Sequence, residues 1–261
     1  MFEARLAQGS LLKKIIEAIH NLVPEINMEV TSSGISVQAM DSSHVCLVFL
    51  ELDAGAFDPF RCDKNITLGV STANLLKVLR CAGNEDSITL RAKDDTDSME
   101  VFIENTDQDR TSTFEIKLMD LDQERLGIPA TEYDAVLKIP SGEFQRITRD
   151  ISQFSDSMVI SCTKEGVQFS TAPSTTEGSA KITLKDGAVM DKKGEGGVSI
   201  ELNEPVSLTY ACHFMGFFVK ATPLSDKTIV SLKADRPMAL EYPIGAIGHL
   251  RYYLAPKVES E

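Results

Sequence analysis

Thr31-Ser-Ser-Gly-Ile-Ser-Val37 and Thr163-Lys-Glu-Gly-Val-Gln-Phe169 are one phrase written twice. In each, a Thr, two polar residues and a turn Gly lead into a segment that alternates apolar and polar side chains, as a half-buried strand does. A phrase that recurs in both halves of a 261-residue chain predicts an internal duplication. Working outward from each copy gives the same order of elements.

In the first half, Phe2–Ala7 alternates in polarity and reads as a strand. Gly9-Ser10 then starts a helix over 9–22, with Leu11, Leu12, Ile15, Ile16, Ile19 and Leu22 on one face and Lys13, Lys14, Glu17 and His20 on the other. Strand-like segments follow at 34–39, 44–52, 59–62 and 65–70. A helix over 72–81 turns Leu75, Leu76 and Leu79 inward and Lys77 and Arg80 outward. Strands at 87–92, 98–104 and 111–118 close the half, with an acidic turn at Asp94-Asp95-Thr96-Asp97. The second half opens with a strand at 135–139. Its first helix, 141–153, carries Phe144, Ile147 and Ile151 on one side and Gln145, Arg146, Arg149 and Ser152 on the other. Strands at 157–163 and 166–171 follow. A fourth helix over 210–222 places Phe214, Phe217, Phe218 and Ala221 at helical spacing; Gly216 inside it costs about 1 kcal/mol of propensity, so packing must hold it. Strands at 227–234, 237–243 and 247–255 end the chain. Residues 118–135 differ in kind: they lack alternation, contain Gly127 and Pro129, and read as a long surface connector. The expected organisation is therefore α+β, with two repeat-related domains at 1–117 and 136–261 joined by a connector at 118–135. Each domain is built of antiparallel sheets with two short helices.

Composition narrows the function. Hydrophobic residues make up 43% of the chain, too many for disorder. No apolar run is long enough to span a bilayer, and MFEARLAQGS does not read as a signal peptide, so Asn65-Ile66-Thr67 is a chance sequon. Five scattered cysteines without a CxxC pair read as reduced thiols. The four histidines (20, 44, 213, 249) have no metal-ligand spacing. No Walker, GxSxG or HExxH motif is present. Asp120, Asp122 and Glu124 imitate a carboxylate cluster for Mg²⁺ but read as solvated charge on the connector. No cofactor and no catalytic residue is expected.

Net charge is −13, which by itself opposes nucleic-acid binding. The distribution reverses that inference. The four helical segments hold seven basic residues (Lys13, Lys14, Lys77, Arg80, Arg146, Arg149, Lys220) against three acidic ones (Glu17, Glu143, Asp150). Of the chain's 26 basic and 39 acidic residues, the remainder keeps 19 and 36. A surface built from these helices would be positive on an otherwise acidic molecule, and would hold phosphates without reading bases. The chain has no Trp, and no aromatic residues interleave with the cations as stacking platforms require.

Several phrases are more specific: Gln38-Ala-Met-Asp-Ser-Ser-His-Val45, Phe60-Arg-Cys-Asp63, Leu79-Arg-Cys-Ala-Gly-Asn-Glu-Asp86, Lys117-Leu-Met-Asp-Leu-Asp122, Leu126-Gly-Ile-Pro129, Lys220-Ala-Thr-Pro-Leu224 and Tyr252-Tyr-Leu-Ala-Pro-Lys257. Through them the sequence resembles the proliferating cell nuclear antigen family, the eukaryotic DNA sliding clamps, along essentially its full length. The resemblance implies a closed homotrimeric ring with helices lining the bore and sheet outside. The ring would encircle double-stranded DNA in the nucleus and act as a polymerase processivity factor and docking platform in replication, repair and translesion synthesis. The implied DNA-facing residues are Lys13, Lys14, His20, Lys77, Arg80, Arg146, Arg149 and Lys220. Closure would pair a strand near 109–117 with one near 178–184 of the next subunit, bringing together Cys81, Arg110, Phe114 and Ile116 with Ile182 and Leu184.

The family's partners (DNA polymerase, clamp loader and others) carry a Gln-aliphatic-aromatic-aromatic peptide. Its pocket maps onto Met40, His44, Val45, Leu47, Leu126, Ile128, Pro129, Tyr133, Pro237, Tyr253, Ala255 and Pro256. Lys164 matches the lysine that accepts ubiquitin-type modifiers. This chain departs from the family in having His20 where Lys is frequent, His213 where Arg is frequent, and Gly127 where no modification is possible. Segments 171–179 and 186–197 diverge most.

Overall fold

The computed structural model describes residues 1–93, 97–105, 107–123, 125–172, 178–188 and 197–258. The Asp94-Asp95-Thr96 part of the acidic turn, Glu124 and most of the two divergent segments lie outside them. The chain divides into two compact units: Met1–His44 with Val48–Gly127 and Ile244–Leu250, and Val45–Leu47 with Ile128–Pro243 and Arg251–Glu261.

The first half contains β1 (Phe2–Leu6), α1 (Ser10–Ile19), β2 (Glu25–Thr31), β3 (Gly34–Met40), β4 (Cys46–Asp53), β5 (Phe60–Cys62), β6 (Ile66–Ser71), α2 (Thr72–Leu79), β7 (Ser87–Ala92), β8 (Ser98–Asn105) and β9 (Arg110–Lys117). The second contains β10 (Ala135–Pro140), α3 (Ser141–Ser152), β11 (Ser157–Thr163), β12 (Gly166–Thr171), β13 (Lys181–Leu184), β14 (Ser199–Leu202), β15 (Val206–Ala211), α4 (Cys212–Phe218), β16 (Lys227–Leu232), β17 (Met238–Pro243) and β18 (Gly248–Leu254). Strand order makes the duplication explicit. The first half runs β5-β1-β7-β8-β9 and β4-β3-β2-β6; the second runs β14-β10-β16-β17-β18 and β13-β12-β11-β15. Every strand of the second half occupies the place of the strand nine positions earlier. In each half a helix pair, α1 with α2 and α3 with α4, packs together.

The strands obey the period of two. β1, β2 and β8 bury alternate residues, so Phe2, Ala4 and Leu6, then Ile26, Met28 and Val30, face the first core. The helices obey 3.6: α1 buries Leu12, Ile15, Ile16 and Ile19, and α3 buries Phe144, Ile147, Thr148 and Ile151. The repeated turn is set by its glycines. Gly34 and Gly166 have φ of +145° and +138°, a region that L side chains rarely adopt. A Cβ there would stand 2.1 Å from the Leu52 carbonyl oxygen in β4 or 2.3 Å from that of Leu184 in β13. Gly166→Ala is expected to cost about 1–3 kcal/mol, read as a lower urea midpoint for the second unit.

Three strands escaped the sequence reading: β2, β14 and β15. The fourth helix is also shorter than 210–222. Tyr210 and Ala211 belong to β15, α4 covers Cys212–Phe218, and Val219–Leu224 tightens to a 3-10 helix containing Pro223, which cannot donate to an α-helical ladder. Its buried face is Cys212, Met215 and Phe218, with Ala221 buried in the 3-10 turn. Phe214 and Phe217 are only half-buried, and the exposed His213 ring packs edge-on against both, at 5.6 and 4.7 Å.

Candidate DNA-facing and partner-binding surfaces

The basic residues occupy the helix faces that the cores leave over. On α1, Lys14 is exposed and Lys13 and His20 are partly so; on α2 and just beyond it, Lys77 and Arg80 are exposed. Arg80 reaches back to Glu17 of α1, 3.8 Å away, so the two helices present their cations from one packed pair. In the second unit, Arg146 and Arg149 are exposed on α3. Both pair with Asp150, at 3.8 and 3.1 Å. Such exposed pairs contribute little to stability, but they orient the guanidinium groups along the helix. Lys220 sits on the 3-10 turn with its ammonium 5.0 Å from the Phe217 ring centroid, a cation–π contact. Each unit therefore carries a helix pair with a cationic outer face.

Among the described residues six strands end their sheets: β5, β6, β9, β13, β14 and β15. β5 and β14, and β6 and β15, are counterparts in the repeat, whereas the counterparts of β9 and β13, which are β18 and β4, have a neighbour on both sides. Within the first unit the start of β18 lies along β4: the Asp53 N–H donates to the Ile247 carbonyl at 2.8 Å, and Gly248 passes so close that a Cβ would be 2.0 Å from the Glu51 oxygen. Of the residues expected at a subunit contact, Cys81 and Arg110 are exposed, and Phe114 and Ile182 are half-buried. Ile116 and Leu184 are already 5% and 7% exposed, so they brace the two edges from behind.

The connector is held to the first unit by side chains. After the bridge between Gly69 and Met119, where a Cβ on Gly69 would meet the Met119 oxygen at 2.1 Å, Asn27 of β2 donates to the Leu121 carbonyl at 3.0 Å. Arg125 pairs with Glu29. The Gln38 amide of β3 donates to the Leu126 carbonyl at 2.8 Å and accepts from its N–H at 2.7 Å. Leu126 itself is 43% exposed. Met40 is half-buried and leads into a turn in which the Asp41 carboxylate accepts from the Ser43 N–H at 2.9 Å. That turn holds His44 at φ +57°.

In the second unit the connector ends at Asp134. Its carbonyl accepts from Asn203 N–H and Glu204 N–H. Its carboxyl lies below the usual carboxylate range because it accepts from the Ala234 N–H and the Lys233 ammonium. Ile128 and Tyr133 are half-buried, and Pro129 and Pro237 are exposed. Burial, and then the neighbouring Tyr253 hydroxyl, push the Tyr133 phenol upward. Arg251 bonds the Tyr253 hydroxyl at 3.0 Å and pairs with Glu241. Val45 is 37% exposed and Leu47 is 9% exposed. The Val45 carbonyl accepts from the Ala255 N–H at 3.2 Å, and Pro256 follows. The second unit thus gathers apolar and tyrosyl side chains around residues 45–47, 128–133 and 253–256. Met40, His44 and Leu126 belong to the first.

Lys164 is exposed in the turn between β11 and β12. It lines an open groove of about 360 Å³ with Glu165, Asp186, Ile200, Leu202 and Pro205. Burial raises the Cys162 thiol to about 12 and the Cys212 thiol to about 11, so neither is a thiolate at neutral pH. Among the described residues no three His, Cys, Asp or Glu side chains cluster as metal ligands do, and no helix is long and apolar enough to cross a membrane. Asp120 and Asp122 are exposed on the connector.

Duplicated units of antiparallel sheet, each with a pair of short helices, make this a protein of the DNA clamp fold. Residues 1–125 match the family model of the proliferating cell nuclear antigen N-terminal domain, and residues 127–257 match that of its C-terminal domain. The chain belongs to the proliferating cell nuclear antigen family. It is a DNA sliding clamp, and its role as a processivity factor in replication and repair follows from the family.

Proposed function

We propose that three copies of the chain close into a homotrimeric ring by pairing β9 of one with β13 of the next. The observation that carries this is the mismatch between repeat and pairing. The strands equivalent to β9 and β13 already have neighbours within the chain, whereas β9 and β13 end their sheets. A further copy is the natural partner for both, since an unpaired edge is a template for another strand and a head-to-tail contact can close a ring. The ring places Lys13, Lys14, His20, Lys77, Arg80, Arg146, Arg149 and Lys220 around duplex DNA, with Cys81, Arg110 and Phe114 meeting Ile182 at each joint and Ile116 and Leu184 bracing the two edges from behind. The functional organisation is a clamp domain at 1–117, a connector at 118–135 and a second clamp domain at 136–261. Met40, His44, Val45, Leu47, Leu126, Ile128, Pro129, Tyr133, Pro237, Tyr253, Ala255 and Pro256 receive the Gln-aliphatic-aromatic-aromatic peptides of polymerases, clamp loader and other partners. Lys164 accepts a ubiquitin-type modifier. The ring works in the nucleus and performs no chemistry of its own.

Light scattering on the purified chain tests the assembly. The expected mass is three times 28.6 kDa, and Phe114→Asp, which places a charge at the joint, is expected to give single chains. A native protein that stays at 28.6 kDa at micromolar concentration refutes the ring.

A further inference from the structure

We propose that Gln38 positions the partner-peptide site by acting as an inserted peptide unit for the connector. This role rests on the peptide-site reading under the proposed function and adds a residue outside that site. A carboxamide carries one acceptor and one donor side by side, as a backbone amide does. Gln38 uses both on a single residue, accepting from the Leu126 N–H at 2.7 Å and donating to the Leu126 carbonyl at 2.8 Å. The result is the hydrogen-bond pattern of a strand pair, made by a side chain from β3 to a segment 88 residues away.

The connector needs such a partner. Among the described residues from Asp120 to Glu132, the backbone–backbone bonds reduce to Gln123 N–H with the Leu121 carbonyl. Asn27 and Arg125 anchor the stretch before Leu126. Immediately after it comes Gly127, where an added Cβ would touch nothing within 4 Å. Gln38 is thus the final anchor on the first unit before the chain reaches Gly127-Ile128-Pro129. It fixes the backbone of the one connector leucine that stands largely exposed. Holding that leucine in place before a peptide arrives removes an ordering cost from binding. Only a residue with adjacent donor and acceptor fits. Glu would keep the bond from the Leu126 N–H but set a carboxylate against the Leu126 carbonyl, and Ala would leave both groups to water.

The test uses the assembled full-length protein. Amide hydrogen exchange is followed across residues 118–134, and binding of a synthetic Gln-aliphatic-aromatic-aromatic peptide is measured by calorimetry, for the unaltered chain, Gln38→Ala, Gln38→Glu and Leu126→Ala. Gln38→Ala is expected to exchange the Leu126 amide faster, Gln38→Glu to keep that amide protected, and both to bind peptide about tenfold more weakly, the scale of one or two missing hydrogen bonds, with an unchanged melting temperature. Leu126→Ala is expected to lose affinity while its amide stays protected. Gln38→Ala that binds as tightly as the unaltered chain, or that leaves the Leu126 amide protected, overturns the role of Gln38 alone. An unaltered chain that binds no such peptide overturns the peptide-site reading and the positioning role with it, whatever the exchange data give.

Discussion

Replacing Lys13, Lys77, Arg149 and Lys220 together with alanine is expected to abolish most of the stimulation of polymerase processivity while leaving assembly and peptide binding intact. Lys77, Arg149 and Lys220 are exposed and Lys13 partly so, and none contributes to a hydrophobic core. Folding therefore has little to lose. In the proposed ring the electrostatics of the bore would have much to lose: a trimer would give up twelve positive charges on a molecule that is already at −13 per chain. Each phosphate that is no longer neutralised makes the slope of log affinity against log salt shallower by about 0.9. The variant is therefore expected to stimulate synthesis roughly tenfold less or worse near physiological salt, and to show a flatter salt dependence. Primer extension on a singly primed circle with clamp loader, at several salt concentrations, makes the measurement. Processivity and salt dependence equal to the unaltered protein would mean that these four side chains do not face DNA.

Tyr252→Ala is expected to destabilise the second unit by about 3–5 kcal/mol, the usual cost of truncating a fully buried aromatic residue. Tyr252 is 0% exposed. Its ring stacks on Phe218 at 4.5 Å and 16° and meets Tyr242 edge-on at 6.4 Å. Phe218→Ala in a double-mutant cycle is expected to assign about 0.5–1.5 kcal/mol to the stack itself. Because the chain has two units, one denaturation midpoint is not enough; the loss should appear first in hydrogen exchange of β16, β17 and α3. The next residue gives the contrast. β18 alternates, so Tyr253 points the other way, is half-buried and bonds Arg251. Tyr253→Ala is expected to weaken peptide binding with little effect on the melting curve. A Tyr252→Ala protein as stable as its parent would remove the stacked aromatic group from its place at the centre of the second core.

The repeated phrase is the most informative part of the sequence, because its glycines answer to a physical demand. Both positions need positive φ and room for a carbonyl oxygen of β4 or β13. Helices α1, α2 and α3 are legible from their apolar spacing, and the basic residues are legible as the faces left over. The fourth helix is not, because Phe214 and Phe217 continue the apolar pattern of Phe218 while packing against His213 at the surface. Tyr210 is buried as a strand residue of β15, and a single aromatic side chain at a strand–helix boundary fits either period. β2 alternates as clearly as β3, so its period of two is legible in the sequence as well. β14 has only four residues, half-buried or exposed, and leaves little pattern to find.

No local signal joins Met40 to Pro237 or Tyr253, so the proposed partner site is legible only through the family resemblance. The bond between Gln38 and Leu126 was out of reach for a different reason. A polar residue in a strand reads as solvent-facing, and nothing in the sequence says that its amide will meet a backbone 88 residues on.

The open edges β9 and β13 differ in length, sequence and surroundings. Two unlike edges that join have a direction, and a circle made by repeating such joints has rotational symmetry about its axis but no two-fold across it. Its front and back are therefore chemically different, and every copy of a given loop emerges on the same side. If the proposed ring is placed on a double helix in one orientation, a machine docked on one side would keep trailing or leading in the same sense, because the ring cannot turn over while it is threaded.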